Sequence, residues 1–242
     1  MNQTTRPLLA VFIDADNVSA KSADAILREI SGIGEPALRR VYGDWSSPSL
    51  AGWLEKARDL GMVAHQLSAN TKGKNASDIG LVIDAMDILH SGKFDGFVLV
   101  SSDSDFTQLA NRVREDGRLV IGIGEQKTPA ALRIACNRFI FLENLDGIDD
   151  GGTAKKSTLA KGKASEATRL IRAAMVKIDQ EDEWYNLSPI GSQLAAANPD
   201  FDSRTYGSSK LSDLVKQLKD FETRKSGTTL QIRDLRRTRA ST

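Results

Sequence analysis

The sequence predicts an α/β protein, with a three-layer parallel-sheet domain over residues 1–145 and a small winged-helix-like α+β domain over residues 164–235. Three observations carry this reading. Short continuous apolar runs such as Leu8–Ile13 and Phe97–Val100 read as strands buried on both faces. These runs alternate strictly with segments of helical period over short connections, which argues for right-handed crossovers covering both faces of one parallel sheet. Residues 146–163 are poor in large apolar side chains and rich in Gly, Ser and Lys, so they cannot bury a core and read as a flexible basic linker.

Taken in order, Leu8–Ile13 is the first strand, and Ser22–Ile30 places Ala25, Ile26 and Ile30 at helical spacing before Gly32 and Gly34. Leu38–Tyr42 is the second strand and ends in Gly43-Asp44. Leu50–Leu60 gathers Leu50, Trp53, Leu54, Ala57 and Leu60 on one helical face, and Met62–Leu67 is the third strand. A polar loop with Lys72 and Lys74 leads to a helix over Ser77–Leu89, capped by Ser77. Phe97–Val100, a helix with Phe106, Leu109, Ala110 and Val113 inward, Leu119–Ile123, a short helix over Thr128–Ala135 and Phe139–Leu142 complete the first domain. The glycines of Gly122-Ile123-Gly124 are expected in a turn at a strand end.

In the second domain, Glu166–Ile178 carries Leu170, Ile171, Ala174 and Ile178 at helical spacing. Ser188-Pro189 reads as an N-cap followed by Pro at the first helical position, and Lys210–Leu218 turns Leu211, Leu214, Val215 and Leu218 inward. Phe221–Lys225 and Thr228–Arg233 form a hairpin across Ser226-Gly227. Residues 236–242 are a basic tail.

Charge divides the chain as well. Formal net charge is +1 over 242 residues, yet residues 1–150 hold 16 Lys+Arg against 21 Asp+Glu and residues 151–242 hold 17 against 11. Such asymmetry suits a cation site beside a polyanion-binding surface, and equally suits unevenly distributed solvated charge. The lone Cys136 excludes an internal disulfide, and with only His65 and His90 no Cys/His zinc site can be assembled. Leu8–Ile13 is too short for a signal-peptide core, and no segment approaches the ~18 apolar residues of a membrane span. The expectation is a cytoplasmic protein, free of membranes.

The chemistry sits at strand ends. Asp14-Ala15-Asp16-Asn17 follows the first strand and Ser101-Ser102-Asp103-Ser104-Asp105-Phe106 follows the fourth, where open α/β sheets bind ligands. Hard carboxylates without His or Cys suit Mg²⁺ or Mn²⁺, and a cation so held assists phosphodiester hydrolysis. The candidate metal ligands and catalytic groups are Asp14, Asp103 and Asp105, with Asp78 from the third helix, although an acid in a first helical turn also has a purely dipolar reason to be there. Asn17 either caps the next helix or orients a metal water or phosphate. Asp16 and Asp44 are supporting or merely solvated groups, and Asp84 and Asp87 turn away from the N-terminus of the third helix. Phe12–Val18 also fits the Asp-x-Asp-x-Val pattern of the haloacid-dehalogenase phosphatases, with Asp14 as nucleophile. Gly122–Lys127 completes neither a dinucleotide fingerprint nor a P-loop, so no nucleotide cofactor is expected.

Phe12–Asn17, Lys72–Asp78 and Val100–Phe106 resemble the three signatures of NYN domains, members of the PIN-like nuclease superfamily with a Rossmann-like sheet, over about residues 8–145. The resemblance implies neighbouring first and fourth strands, metal-dependent RNA cleavage by Asp14, Asp78, Asp103 and Asp105, support from Asn17 and Ser101, and strand contacts from Lys72 and Lys74. Trp184–Gly191, Asn198–Asp202, Arg204–Gly207 and the closing hairpin resemble an OST-HTH (LOTUS) domain over about residues 164–235, a family associated with RNA binding. Candidate RNA contacts there are Arg204, Tyr206, Lys210, Lys216, Arg224 and Lys225. The aromatics Trp184 and Tyr206 have an alternative place in the core, and Lys216 and Lys219 an alternative as solvated charge. The leading expectation is a Mg²⁺- or Mn²⁺-dependent ribonuclease with an RNA-binding module, open to forming a homo-oligomer. Its rivals are an RNA-binding scaffold with a degenerate acidic site and, less favoured, the phosphatase.

Overall fold

The first strand, β1 (Leu8–Asp14), lies at the centre of a six-stranded sheet and is buried from Leu9 onward. With β2 (Glu35–Gly43), β3 (Val63–Gln66), β4 (Gly96–Val100), β5 (Leu119–Gly124) and β6 (Arg138–Phe141), it forms an all-parallel sheet of order β3-β2-β1-β4-β5-β6. The computed structural model describes residues 6–67, 76–145, 161–178, 180 and 182–238. Its contacts divide the chain into two units, Met1–Asp149 and Asp150–Thr242, a boundary inside the expected linker.

Side chains alternate across a strand, and β1 uses both faces. Leu9, Val11 and Ile13 pack with α1 (Ala23–Ile33) and α2 (Ala51–Asp59), while Ala10 and Phe12 pack with α3 (Ala76–His90), α4 (Thr107–Glu115) and α5 (Ala130–Ala135). Phe12 is fully buried, its ring 6.2 Å from Tyr42 and 5.8 Å from Phe97. Strand order reverses between β1 and β4, so the first and fourth strands are neighbours and a crevice opens at their carboxyl ends.

Three details differ from expectation. β2 begins at Glu35 rather than Leu38, because the half-exposed stretch before Leu38 pairs with Leu8 and Leu9 through an irregular register between Leu9 and Ala10. Gly122 and Gly124 lie within β5, not in a turn; a Cβ on Gly122 would stand 2.4 Å from the Phe139 ring. Residues 161–163 of the expected linker open a helix, and the rest of it, 146–160, lies outside the described residues.

The second unit contains α6 (Lys161–Lys177), β7 (Tyr185–Asn186), α7 (Leu187–Ala197), α8 (Leu211–Gln217), β8 (Phe221–Ser226), β9 (Thr229–Asp234) and α9 (Leu235–Thr238). Ile171, Tyr185, Ile190, Leu194, Leu214 and Ile232 form its core, and β7-β9-β8 is an antiparallel sheet. Asn186, not Ser188, holds the N-cap position of α7, placing Pro189 two residues beyond the first helical position, still inside the first turn, where its missing N–H costs no hydrogen bond. The hairpin turns over Gly227-Thr228, one residue later than expected, since Ser226 pairs with Thr229 and Gly227 takes a φ of 59° that Gly adopts most readily. Part of the expected tail, 236–238, is helical in α9. Among the described residues no helix is long and apolar enough to cross a membrane.

Candidate active site

At the β1/β4 crevice Asp14 ends β1, with its neighbour Ile13 paired to Val100. The Asp14 carboxylate is 3% exposed and fully engaged: Oδ2 accepts from Asn17 Nδ2 at 2.6 Å and Ser101 Oγ at 2.9 Å, and Oδ1 accepts from the Asp16 amide at 3.1 Å. Burial pushes its pKa above the usual 3.8, and the hydrogen bonds from Asn17 and Ser101 offset part of that rise. Asn17 thus holds Asp14 itself.

Ser101 joins the two strands. Its amide donates to Ile123 O at 3.0 Å, its hydroxyl donates to Asp14, and the same oxygen accepts from the Asp103 amide at 3.1 Å. Gly124 is required beside it, since a Cβ there would lie 2.7 Å from the Ser101 carbonyl oxygen. Asp103 then caps the 3-10 turn Ser104–Phe106, accepting from the Asp105 amide at 3.0 Å. Sequence reasoning missed this capping role, although Asp followed two residues later by a turn is a recognisable signal.

The remaining candidates are less gathered. Asp78 lies in the first turn of α3, and Leu81 one turn on surrounds, with Phe12, Ser101 and Phe106, a gap too small for water, so that end of α3 lies near Ser101. The Asp78 side chain, and Lys72 and Lys74 entirely, lie outside the described residues. Among the described residues no three His, Cys, Asp or Glu side chains are grouped to hold a metal ion. The expected set Asp14, Asp103 and Asp105 is therefore not a closed ligand cage: Asp14 is engaged by hydrogen bonds and Asp103 by its cap. Burial raises the Asp16 pKa and the Asp44 carboxylate raises it further, whereas Asp44 is held low by hydrogen bonds from Ser46 and Gln66.

A second polar group adjoins the crevice. Asp84, on α3, accepts hydrogen bonds from Arg40 and from the Tyr42 hydroxyl. Tyr42 is the register partner of Asp14, and its ring is 5.1 Å from His65. Burial raises the Tyr42 pKa, and burial and Arg40 lower that of His65. Burial alone would raise Asp84, but Arg40 and Tyr42 bring it below 3.8.

In the second unit the structure corrects one candidate outright. Tyr206 is 5% exposed and packs on Phe201 at 5.6 Å, so its ring belongs to the core and cannot stack on a base. Arg204 is held by Asp202, with Nε donating at 2.9 Å and Nη2 at 2.6 Å to Oδ2. Arg224 lies 4.1 Å over the Trp184 ring and donates to Gln231, with Arg233 4.9 Å from the same ring. Lys210, Lys216 and Lys225 are exposed.

A family model for the NYN domain matches residues 8–143, more than half of the chain. The chain belongs to the NYN family. Its sheet is accordingly the PIN-like α/β arrangement, and NYN domains are typically metal-dependent ribonucleases. The OST-HTH/LOTUS model matches residues 160–233, a domain type that binds RNA. Among solved structures, a protein of unknown function from Vibrio parahaemolyticus aligns with the NYN chain at a TM-score of 0.50 and 20% identity, covering 62% of this chain and 98% of its own, a likeness of fold. No curated protein matches.

Ser101 offers a direct probe of the NYN site. Ser101→Ala removes a hydrogen bond from Asp14 and the acceptor of the Asp103 amide. Should this crevice hold a divalent cation, as NYN domains typically do, the substitution is expected to cost about 10–100-fold in its affinity, read by calorimetric titration with Mn²⁺; an unchanged isotherm would mean that this hydroxyl does not orient the site.

Proposed function

We propose that the NYN domain hydrolyses RNA phosphodiesters with a divalent cation, Mg²⁺ or Mn²⁺, held by Asp14, Asp103 and Asp105 together with Asp78, and that the OST-HTH domain binds the RNA. The observation that supports this most is the Ser101 bridge, which ties a buried carboxylate on β1 to the acidic turn after β4. The donor set is all oxygen, and Mg²⁺ characteristically takes one or two carboxylates and keeps its waters. An open arrangement without three grouped ligands fits that habit. When bound, the cation supplies Lewis acidity towards water and the phosphodiester. The chain's own part is to keep Asp14 fixed through Asn17 and Ser101, to shield it from water, and to present Asp103 and Asp105 from a rigid turn.

The absence of a three-carboxylate group among the described residues equally supports a second reading, an RNA-binding protein with a degenerate site. The phosphatase reading asks more of Asp14, whose oxygens already accept three hydrogen bonds, because a nucleophile must reach the phosphorus itself whereas a ligand needs only one remaining lone pair towards the cation. Labelled RNA and DNA, linear and circular, incubated with Mg²⁺, Mn²⁺ or EDTA decide between these. The nuclease reading expects metal-dependent cutting of RNA that stops in EDTA. RNA bound but never cut in either metal would leave the scaffold reading standing.

A further inference from the structure

The OST-HTH domain carries a cavity of about 750 Å³ between α6, the turn after α8 and the start of α9. Its wall holds Thr168, Arg169 and Arg172 from α6, Lys219 and Asp220 from the turn, and Arg236. Four cations face one carboxylate. Arg172 is neutralised locally, donating to Asp234 at 2.6 and 3.0 Å and to Asp220 at 2.9 Å, and its guanidinium lies 5.6 Å from the Phe221 ring. Arg236 stands 3.9 Å from Asp220. No carboxylate among the described residues forms an ion pair with Arg169 or Lys219.

A second observation is independent of charge. Thr168 is 4% exposed, and its Oγ1 has no hydrogen-bond partner among the described residues. A buried hydroxyl left unpaired loses its bonds to water without replacement, so such groups are normally satisfied. Thr168 lines the cavity beside these cations, and because its hydroxyl oxygen is closed to solvent, an anion with several oxygens meets it once the side chain turns about χ1. Phosphate has that character: its oxygens accept from a guanidinium fork, an ammonium and a hydroxyl together. The volume exceeds that of a bare anion and suits a nucleotide-sized ligand, and Ala164 and Leu218 supply apolar wall.

We propose that this cavity is a phosphate-binding subsite for a nucleotide unit, with Arg169, Lys219 and Thr168 Oγ1 as the contacts and Arg172 as a fixed neighbour that shapes it. This deepens the RNA-binding reading of the domain and rests on it. The phosphate belongs either to an RNA strand or to a free nucleotide.

The test uses the full chain in EDTA, which keeps cleavage off, with a fluorescent single-stranded RNA and, separately, AMP. The variants are Arg169→Gln/Lys219→Gln and Thr168→Val. The double variant is expected to weaken binding at least about tenfold and, for RNA, to flatten the plot of log affinity against log salt by about 0.7, the share of the one phosphate both cations hold. Thr168→Val is expected to lose affinity while melting no lower than wild type, because it removes an orphaned hydroxyl. Loss confined to RNA assigns the subsite to a strand, and loss for AMP as well assigns it to a nucleotide. Wild-type RNA binding that either variant leaves unchanged would overturn the subsite without touching the RNA reading. A wild type that binds neither ligand would remove both.

Discussion

Asp14→Asn is expected to abolish metal-dependent RNA cleavage. The substitution is nearly isosteric but removes a buried carboxylate of the β1/β4 crevice, so the charge that attracts a cation is gone, and a circular dichroism melt checks that the domain stays folded. Loss of a supporting group at a metal site costs about 10–100-fold, and loss of a ligand exceeds that, so cleavage should fall at least ~100-fold and Mn²⁺ binding with it. Full activity in this variant, in a preparation free of contaminating nuclease, would sink the assignment. The pH dependence follows from the same residue. Burial raises the Asp14 pKa above 3.8, so the carboxyl must lose a proton before it holds a cation, and Mn²⁺ affinity should fall as pH drops through that raised value. Stability moves the other way. The folded state binds this proton more tightly than the unfolded chain, so the contribution of Asp14 to stability declines as pH rises from 3.8 through the folded value.

Phe12→Ala is expected to destabilise the NYN domain by about 3–5 kcal/mol, the usual cost of truncating a buried aromatic. Phe12 is fully buried between the Tyr42 and Phe97 rings, one strand on each side, so its loss opens a void in three strands at once. Since the chain forms two units, urea unfolding should resolve into two transitions, with only that of the NYN domain moving to lower denaturant. A uniform shift of both, or none, would contradict this separation.

The parallel sheet was readable because burial on both faces leaves uninterrupted apolar runs, as in Phe97–Val100, and because helical spacing between them is unambiguous. Neighbouring first and fourth strands came from the resemblance, and the register bears them out in Ile13 opposite Val100. What escaped depends on partners far away in sequence. Asp84 was placed correctly on its helix, yet its partners Arg40 and Tyr42 are 44 and 42 residues distant. Arg172 meets Asp220 and Asp234 across 48 and 62 residues, so no local pattern announces the cavity that Arg172 and Asp220 border. Tyr206 is undecided from sequence for a related reason. An aromatic in a basic segment looks like a stacking platform, and only the fold reveals that Phe201 and the core have claimed it. The two-residue strand β7 is too short for any periodicity to register.

Trp184 has a spectroscopic consequence. The chain has three tryptophans, and Trp45 and Trp53 both belong to the first unit, so Trp184 is the sole indole of residues 150–242. Its ring has guanidinium groups 4.1 and 4.9 Å from its centre, and Arg233 is itself tethered to Glu222 at 2.5 Å. Its electronic environment is therefore set by two cations that are themselves held, Arg233 by Glu222 and Arg224 by Gln231. Fluorotryptophan incorporation yields one ¹⁹F resonance from the OST-HTH domain and two from the NYN domain, each reporting on its own unit within a single spectrum of the intact chain.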